Sequence, residues 1–201
     1  MLLIEKSLPL LVMVMLVLIL WILFISRNKY KKMAFQDFSS GLPNRHALHQ
    51  FVHKKRKKKV AIFYIDLDNF KYIYDTYGHI KGDQVVLSFG NKILKLKDAK
   101  QGFFRIGGDE FVFISDYVNK DYTKKVAESL LKNINHSIYF KDQAITIRGS
   151  IGISIGRLHN NFELLLDEAD QALQVAKQQG KNQIVYHDAN HCKFPTVHRL
   201  C

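Results

Sequence analysis

The sequence predicts an α+β domain carried behind one apolar helix, and three patterns predict it. The first is an uncharged run, Leu8 to Ile25, followed by the basic cluster Arg27, Lys29, Lys31 and Lys32. The second is an alternation of short strand-like runs, rich in β-branched and aromatic residues, with longer segments whose apolar residues recur at helical spacing. The third is Arg105-Ile106-Gly107-Gly108-Asp109-Glu110-Phe111, where two glycines and two acids fall between apolar runs, as at the tip of a β-hairpin.

From Leu8 to Ile25 the chain has 18 residues, which as a helix span about 27 Å, close to the hydrocarbon thickness of a bilayer. A secretory signal peptide is the competing reading, but the run is long for one and no small-x-small pattern precedes Arg27. Glu5 and Lys6 nearly cancel before the span while four basic residues follow it. The positive-inside rule therefore predicts a single-pass inner-membrane protein with its C-terminal part in the cytoplasm. Residues 1–33 read as anchor and basic flank, 34–188 as one domain with a sizeable core, and 189–201 as a tail.

Within the domain the patterns predict a helix over Asn44 to Lys55, a buried strand from Val60 to Ile65 and a helix over Gly82 to Leu96. Hairpin strands on either side of Gly107 follow. Val126, Leu130, Leu131 and Ile134 fall at helical spacing and predict a helix over Tyr122 to Ile138. A strand over Ala144 to Ile155, a helix over Phe162 to Gln179 and a short strand over Asn182 to Tyr186 complete the domain. The order β-α-β-β-α-β is that of a ferredoxin-like palm, an antiparallel sheet with helices packed on one face.

The chemistry is expected where acids meet glycines. Gly107 and Gly108 allow a sharp turn and a close approach of phosphate, and Asp109 and Glu110 are hard oxygen ligands suited to Mg²⁺. Gly and Asp are also ordinary turn residues. The strand at Val60 ends in Asp66-Leu67-Asp68. If it lies beside the hairpin, Asp66, Asp109 and Glu110 converge, and three carboxylates repel unless cations sit among them. The alternative is a solvated strand end with Asp68 capping the next segment.

The formal net charge is +12, and Lys54-Lys55-Arg56-Lys57-Lys58-Lys59 supplies six of the positive charges. A solvated loop and a contact with anionic lipid are the two readings of that run. No aromatic stacking platform accompanies it, which argues against nucleic acid as a partner. Cys192 and Cys201 are expected as free thiols in a cytoplasmic domain. With His187, His191 and His198 they match no zinc-binding spacing.

Six ordered stretches resemble the GGDEF domain of bacterial diguanylate cyclases. Asp37-Phe38-Ser39-Ser40-Gly41-Leu42-Pro43-Asn44-Arg45 resembles the opening signature, with Ser39 and Ser40 where Leu and Thr are usual. Asp66-Leu67-Asp68-Asn69-Phe70-Lys71 is similar to the first metal-binding stretch, and Tyr77-Gly78-His79-Ile80-Lys81-Gly82-Asp83 to the segment that holds guanine. Gly107 to Phe111 reproduces the signature loop. Ser150 to Ile153 and the stretch from Ala169 through Lys177 to Asn182 resemble the late strand and closing helix.

The resemblance implies condensation of two GTP molecules into cyclic di-GMP with release of two pyrophosphates, in a homodimer whose two half-sites face each other. It also implies two Mg²⁺ or Mn²⁺ ions per active site, held by Asp66, the Leu67 carbonyl, Asp109 and Glu110. Asp109 is the implied proton acceptor, Lys71 neutralises charge in the transition state, and Lys177 and Lys181 contact phosphates. Apart from the resemblance, those last two lysines read as exposed cations favoured by a helix C-terminus. His79, Asp83 and Tyr74 fall in the guanine site, where Tyr74 replaces the usual asparagine. The family's Arg-x-x-Asp inhibitory positions here hold Asp98 and Gln101, so no product inhibition is expected by that route. Gln174 stands where a tyrosine is usual. The alternative to an active cyclase is a degenerate domain acting as a GTP-binding or protein-interaction module.

Overall fold

The computed structural model describes residues 2–55, 57–96, 98, 100–140, 143–158, 161–187 and 197–198. Helix α1 (Leu2–Phe35) contains the segment Val12–Phe35, which is long and apolar enough to cross a membrane and is not buried against the rest of the chain. Asn44 links this helix to α2 (Arg45–Lys55). Its Nδ2 donates to the Ala34 and Gln36 carbonyls at 3.0 and 3.3 Å, and its Oδ1 accepts the Ala47 N–H at 3.1 Å. One amide thus closes the end of one helix and caps the start of the next.

Strand β1 (Lys59–Leu67) leads to α3 (Phe70–Leu96), the hairpin β2 (Gly102–Arg105) and β3 (Glu110–Asp116), and α4 (Lys120–Ile134). Then come β4 (His136–Phe140), β5 (Gln143–Ile147), β6 (Gly149–Arg157), α5 (Phe162–Gln178), β7 (Ile184–Tyr186) and β8 (Val197–His198). The main sheet runs β2-β3-β1-β6-β7-β8, and β4 and β5 form a separate hairpin. The palm-like α+β fold behind an apolar helix is therefore present. The sheet is mixed rather than wholly antiparallel, because β7 pairs parallel to β6.

Helices cover both faces of the sheet, where one had been expected. On β1, Ala61, Phe63, Ile65 and Leu67 pack with α3 and α4, while Val60 and Ile62 pack with α2 and α5. A central strand buried on both sides must be apolar at successive positions, so its sequence reads as a continuous run without alternation.

Three boundaries differ from the sequence reading. The helix expected over Gly82 to Leu96 is preceded by a further helical segment from Phe70, and the two meet at a kink at Gly78, whose backbone (φ 80°, ψ 166°) is not helical. α4 stops at Ile134, and the expected last turn of that helix is β4, whose Ile138, Tyr139 and Phe140 suit a strand. The long strand over Ala144 to Ile155 divides at Arg148 into β5 and β6.

The close fit of β6 to α5 depends on Gly152. A Cβ there would lie 2.0 Å from the Ala169 carbonyl oxygen and 2.3 Å from the Leu173 nitrogen, both main-chain atoms that cannot swing aside. Gly152→Ala is expected to destabilise the fold by about 3 kcal/mol, read as a lower thermal midpoint by circular dichroism.

Candidate active site

β1 and β3 are antiparallel with Asp66 directly across from Glu110, and the Leu67 N–H donates to the Asp109 carbonyl at 3.2 Å. The strand end and the hairpin tip therefore meet, as the acid pattern predicted. Behind the tip, Phe111 packs on Phe89 (4.8 Å between centroids) and stacks on Phe103 (5.6 Å), fixing the start of β3 in the core.

Asp66 is 5 % exposed. Burial pushes its carboxyl up to about 6, the hydrogen bond from Lys177 opposes the rise, and the nearby Asp109 and Asp68 charges add to it. Lys177 Nζ lies 2.7 Å from Asp66 Oδ2. Burial and the carboxylates of Glu110 and Asp170 raise the Tyr64 hydroxyl well above its usual range. At Gly107 a Cβ would lie 2.4 Å from Glu110 Oε2, so the first glycine of the loop leaves room for that carboxylate.

Arg105 holds the loop in shape, a role that sequence reasoning missed. It is 7 % exposed, its Nε donates to the Gly107 and Gly108 carbonyls at 3.1 and 3.2 Å, and one terminal nitrogen donates to Gly108 at 2.7 Å. The other terminal nitrogen pairs with Asp37 Oδ1 at 2.6 Å and also donates to Ser39 Oγ. Asp37 in turn accepts the Ser40 N–H at 2.9 Å. The opening signature and the hairpin are thus one unit, joined by an ion pair between residues far apart in the chain.

Asp68 is held by partners from later in the chain. Its carboxylate accepts Ser150 Oγ at 2.8 Å and the Asn182 N–H at 2.9 Å, tying the end of β1 to the turn after α5. Lys181 lies on that turn and donates to Asn69 Oδ1 at 2.6 Å. Lys71 is exposed on the first turn of α3 and forms no ion pair among the described residues.

Tyr74 donates to Asp83 Oδ1 at 2.8 Å, and its ring packs edge-on against Phe70 and His79. Gly82 makes space for it, since a Cβ there would fall 2.5 Å from the ring. Tyr74 and Asp83 line a cleft of about 360 Å³ with Asn44, Arg45, Gly107 and Gly108. His79 is exposed beside Tyr74 and is not among the lining residues.

Among the described residues no group of three or more His, Cys, Asp or Glu side chains is gathered as a ready metal cage. The donors at the strand end and hairpin nevertheless fit a hard divalent cation: they are all oxygens, and like-charge repulsion already raises one of them. Asp66, Glu110 and Asp109, with the Leu67 carbonyl, are the residues that would hold such an ion.

At the positions matching the inhibitory site, the Asp98 N–H donates to Gln101 Oε1 at 2.8 Å and Gln101 Nε2 donates to the Tyr122 hydroxyl at 3.3 Å. Gln174 is exposed on α5, bonded to Asp170. In the basic run, Lys55 pairs with Asp116 at 2.6 Å and Lys59 sits over the Tyr117 ring, while Lys54, Lys57, Lys58 and Lys59 are all exposed; Arg56 lies outside the described residues. Cys192, Cys201 and His191 also lie outside them.

Sheet order, acidic two-glycine hairpin and adjoining cleft define a palm-type α+β domain. The chain belongs to the GGDEF family of diguanylate cyclase domains, whose description, "Diguanylate cyclase, GGDEF domain", matches residues 34–183. The cyclic di-GMP phosphodiesterase PdeR of Escherichia coli is 28% identical over 163 residues, covering 79% of this chain and 25% of that protein. A membrane protein of Staphylococcus haemolyticus is 27% identical over 177 residues, covering 83% of this chain and 50% of that one. The chain thus spans half or less of the length of these relatives. The GGDEF domain of DgcB from Caulobacter crescentus, solved with c-di-GMP, shares the fold with a TM-score of 0.70 at 22% identity, over 78% of this chain and 94% of that one.

Proposed function

We propose that the chain is a membrane-anchored diguanylate cyclase that condenses two GTP molecules into cyclic di-GMP. The observation that carries this reading is the register that sets Asp66 against Glu110 and Leu67 against Asp109. Guanine occupies the cleft beside Tyr74 and Asp83, where a carboxylate can accept from the base edge. The triphosphate then runs past the hairpin toward Lys177 and Lys181. Bound divalent ions would polarise the α-phosphate and lower the pKa of the attacking hydroxyl.

The chain's own residues supply the rest. Asp66, Glu110 and the Leu67 carbonyl offer the oxygen ligands. Asp109 accepts the proton of the 3′-hydroxyl as that oxygen bonds to the α-phosphate of the partner's GTP and pyrophosphate leaves. Lys177, paired with Asp66 in the structure, would be available to neutralise the phosphates with a divalent ion held at that carboxylate, and Lys71 does so from the first turn of α3. Two such attacks close the ring, which requires two domains face to face. The membrane helix places the domains at a cytoplasmic surface, where GTP is available. Incubating the full chain in lipid nanodiscs with GTP and Mg²⁺ tests this, and failure to form cyclic di-GMP overturns it.

A second reading is a weakened domain that binds GTP without efficient turnover, and the bond of Tyr74 to Asp83 favours it, because it uses a guanine acceptor internally. Tyr74→Asn is expected to lower the KM for GTP by about tenfold, since one hydrogen bond to the base is worth about 1.4 kcal/mol. Steady-state kinetics at saturating Mg²⁺ read the change. An unaltered KM would remove Tyr74 from guanine recognition.

A further inference from the structure

At the C-terminal end of α1 a cleft of about 570 Å³ opens between that helix and α2, and none of the roles above uses it. Asn28, Lys31, Lys32 and Phe35 line it from α1, and Ala47 and Gln50 from α2. Both lysines are exposed, neither is in an ion pair among the described residues, and no carboxylate is among the lining residues. The acid nearest in sequence, Asp37, is already paired with Arg105 at 2.6 Å. The surroundings are equally one-sided. From Arg27 to Lys59 the chain carries eleven basic residues and one acid, so a net +10 of the whole chain's +12 falls in this stretch.

Depth along the helix matters as much as charge. The uncharged run ends at Ile25, so at about 1.5 Å per residue Asn28 stands about 4.5 Å and Lys31 about 9 Å beyond it. The headgroup layer is about 5 to 8 Å deep on each side of the hydrocarbon core, and lysine stems bend back toward it. The cleft therefore lies level with the lipid phosphates whenever α1 spans the membrane. The two ammonium groups and the Asn28 and Gln50 amides supply N–H donors for phosphate oxygens, and Phe35 and Ala47 give the cleft an apolar side. Two turns before Asn28, on the same face of α1, Trp21 is exposed and would lie beside the acyl chains of a lipid seated there.

We propose that this cleft seats the headgroup of an anionic phospholipid from the bilayer that α1 spans, with Lys31 and Lys32 on its phosphate and Gln50 reaching it from α2. The inference rests on the membrane-anchored part of the proposed function and is independent of the cyclase reaction. A seated headgroup touches both helices, so it fixes how the domain stands on the membrane. The basic run Lys54 to Lys59 attracts the same surface without selecting one lipid. A soluble phosphate ester offers the same oxygens, but only a lipid is held at this depth by its own acyl chains.

The test uses the full chain in vesicles of equal parts phosphatidylcholine and phosphatidylglycerol, one or the other carrying bromine on its acyl chains. Bromine quenches a neighbouring indole on contact, and Trp21 is the one tryptophan of the chain. Brominated phosphatidylglycerol is expected to quench Trp21 with a preference of at least about fivefold over brominated phosphatidylcholine, the order of what one basic residue near an anionic surface contributes. Lys31→Ala with Lys32→Ala should abolish the preference, and Gln50→Glu, which sets a carboxylate on the cleft wall, should reduce it. Lys57→Ala with Lys58→Ala removes the same charge outside the cleft and should leave most of it. Equal losses in the two double variants would reduce the contact to diffuse attraction and overturn the proposal. Relief of the quenching by soluble glycerol phosphate would assign the cleft to a free phosphate ester and overturn it as well. Equal quenching by the two lipids would refute this site with the anchor intact; quenching by neither would refute the anchor and the site together.

Discussion

Asp66→Asn is expected to reduce cyclic di-GMP formation at least about a thousandfold, because losing a cation ligand at the α-phosphate removes on the order of 4 kcal/mol of transition-state stabilisation. The same variant should be no less stable than the parent without metal. Burial, above all, holds the Asp66 carboxyl at about 6 in the folded chain against 3.8 as its ordinary value. Between those two pH values the folded state binds more protons than the unfolded chain. Stability of the metal-free protein therefore falls as pH rises from about 4 to about 6 and then levels off, by on the order of 3 kcal/mol in all. Ionised Asp66 is a cost that a divalent cation offsets and the Lys177 pair offsets only partly. Asparagine removes the cost, so thermal melts at pH 5 and pH 7.5 should differ less in the variant than in the parent. Mg²⁺ affinity should fall as pH drops through 6 in the parent, as the ligand protonates. Retained synthesis by Asp66→Asn would remove this carboxylate from the reaction.

Arg105→Ala is expected to cost about 3 kcal/mol of stability, the low end of the penalty for breaking a buried charge pair, because the guanidinium is buried while Asp37 is only partly so. It strands the Asp37 carboxylate and two loop carbonyls at once. Although burial pushes Asp37 upward, the hydrogen bonds from Ser40 and Arg105 outweigh it and hold its carboxyl below the usual carboxylate range. That contribution is present above about pH 4 and lost as pH falls below it. Lysine cannot replace the guanidinium, because the three loop contacts need its planar fork. Hydrogen exchange at residues 106–110 should accelerate, and cyclic di-GMP formation should drop about a hundredfold as the acids lose their geometry. Slow exchange preserved in the variant would show that the loop holds itself.

The clamp also marks where sequence reasoning ran out. Asp37 and Arg105 each stand inside a stretch that drew attention, yet no local pattern pairs two residues so distant. Capping of the next segment by Asp68 is only the alternative reading of the sequence, and the residue is a tie between strand and turn, because its partners Ser150 and Asn182 come from later in the chain. The acids of the hairpin loop were legible for the opposite reason: Gly107, Gly108, Asp109 and Glu110 are adjacent, and the run of apolar residues before Asp66 announces a buried strand end. At the end of the helix expected over Tyr122 to Ile138 periodicity misled, since Ile138 belongs with Tyr139 and Phe140 to the strand their β-branched and aromatic character fits.

Read along the chain, the residues settle the apolar N-terminal helix, most of the order of strands and helices and the acidic glycine turn, because backbone preference and hydrophobic period act over a few residues. Folding settles which face each helix covers, that Lys177 rather than Lys71 reaches Asp66, and that Arg105 reaches Asp37. Those outcomes depend on packing and charge between segments far apart in the chain, and such terms leave no trace in local spacing.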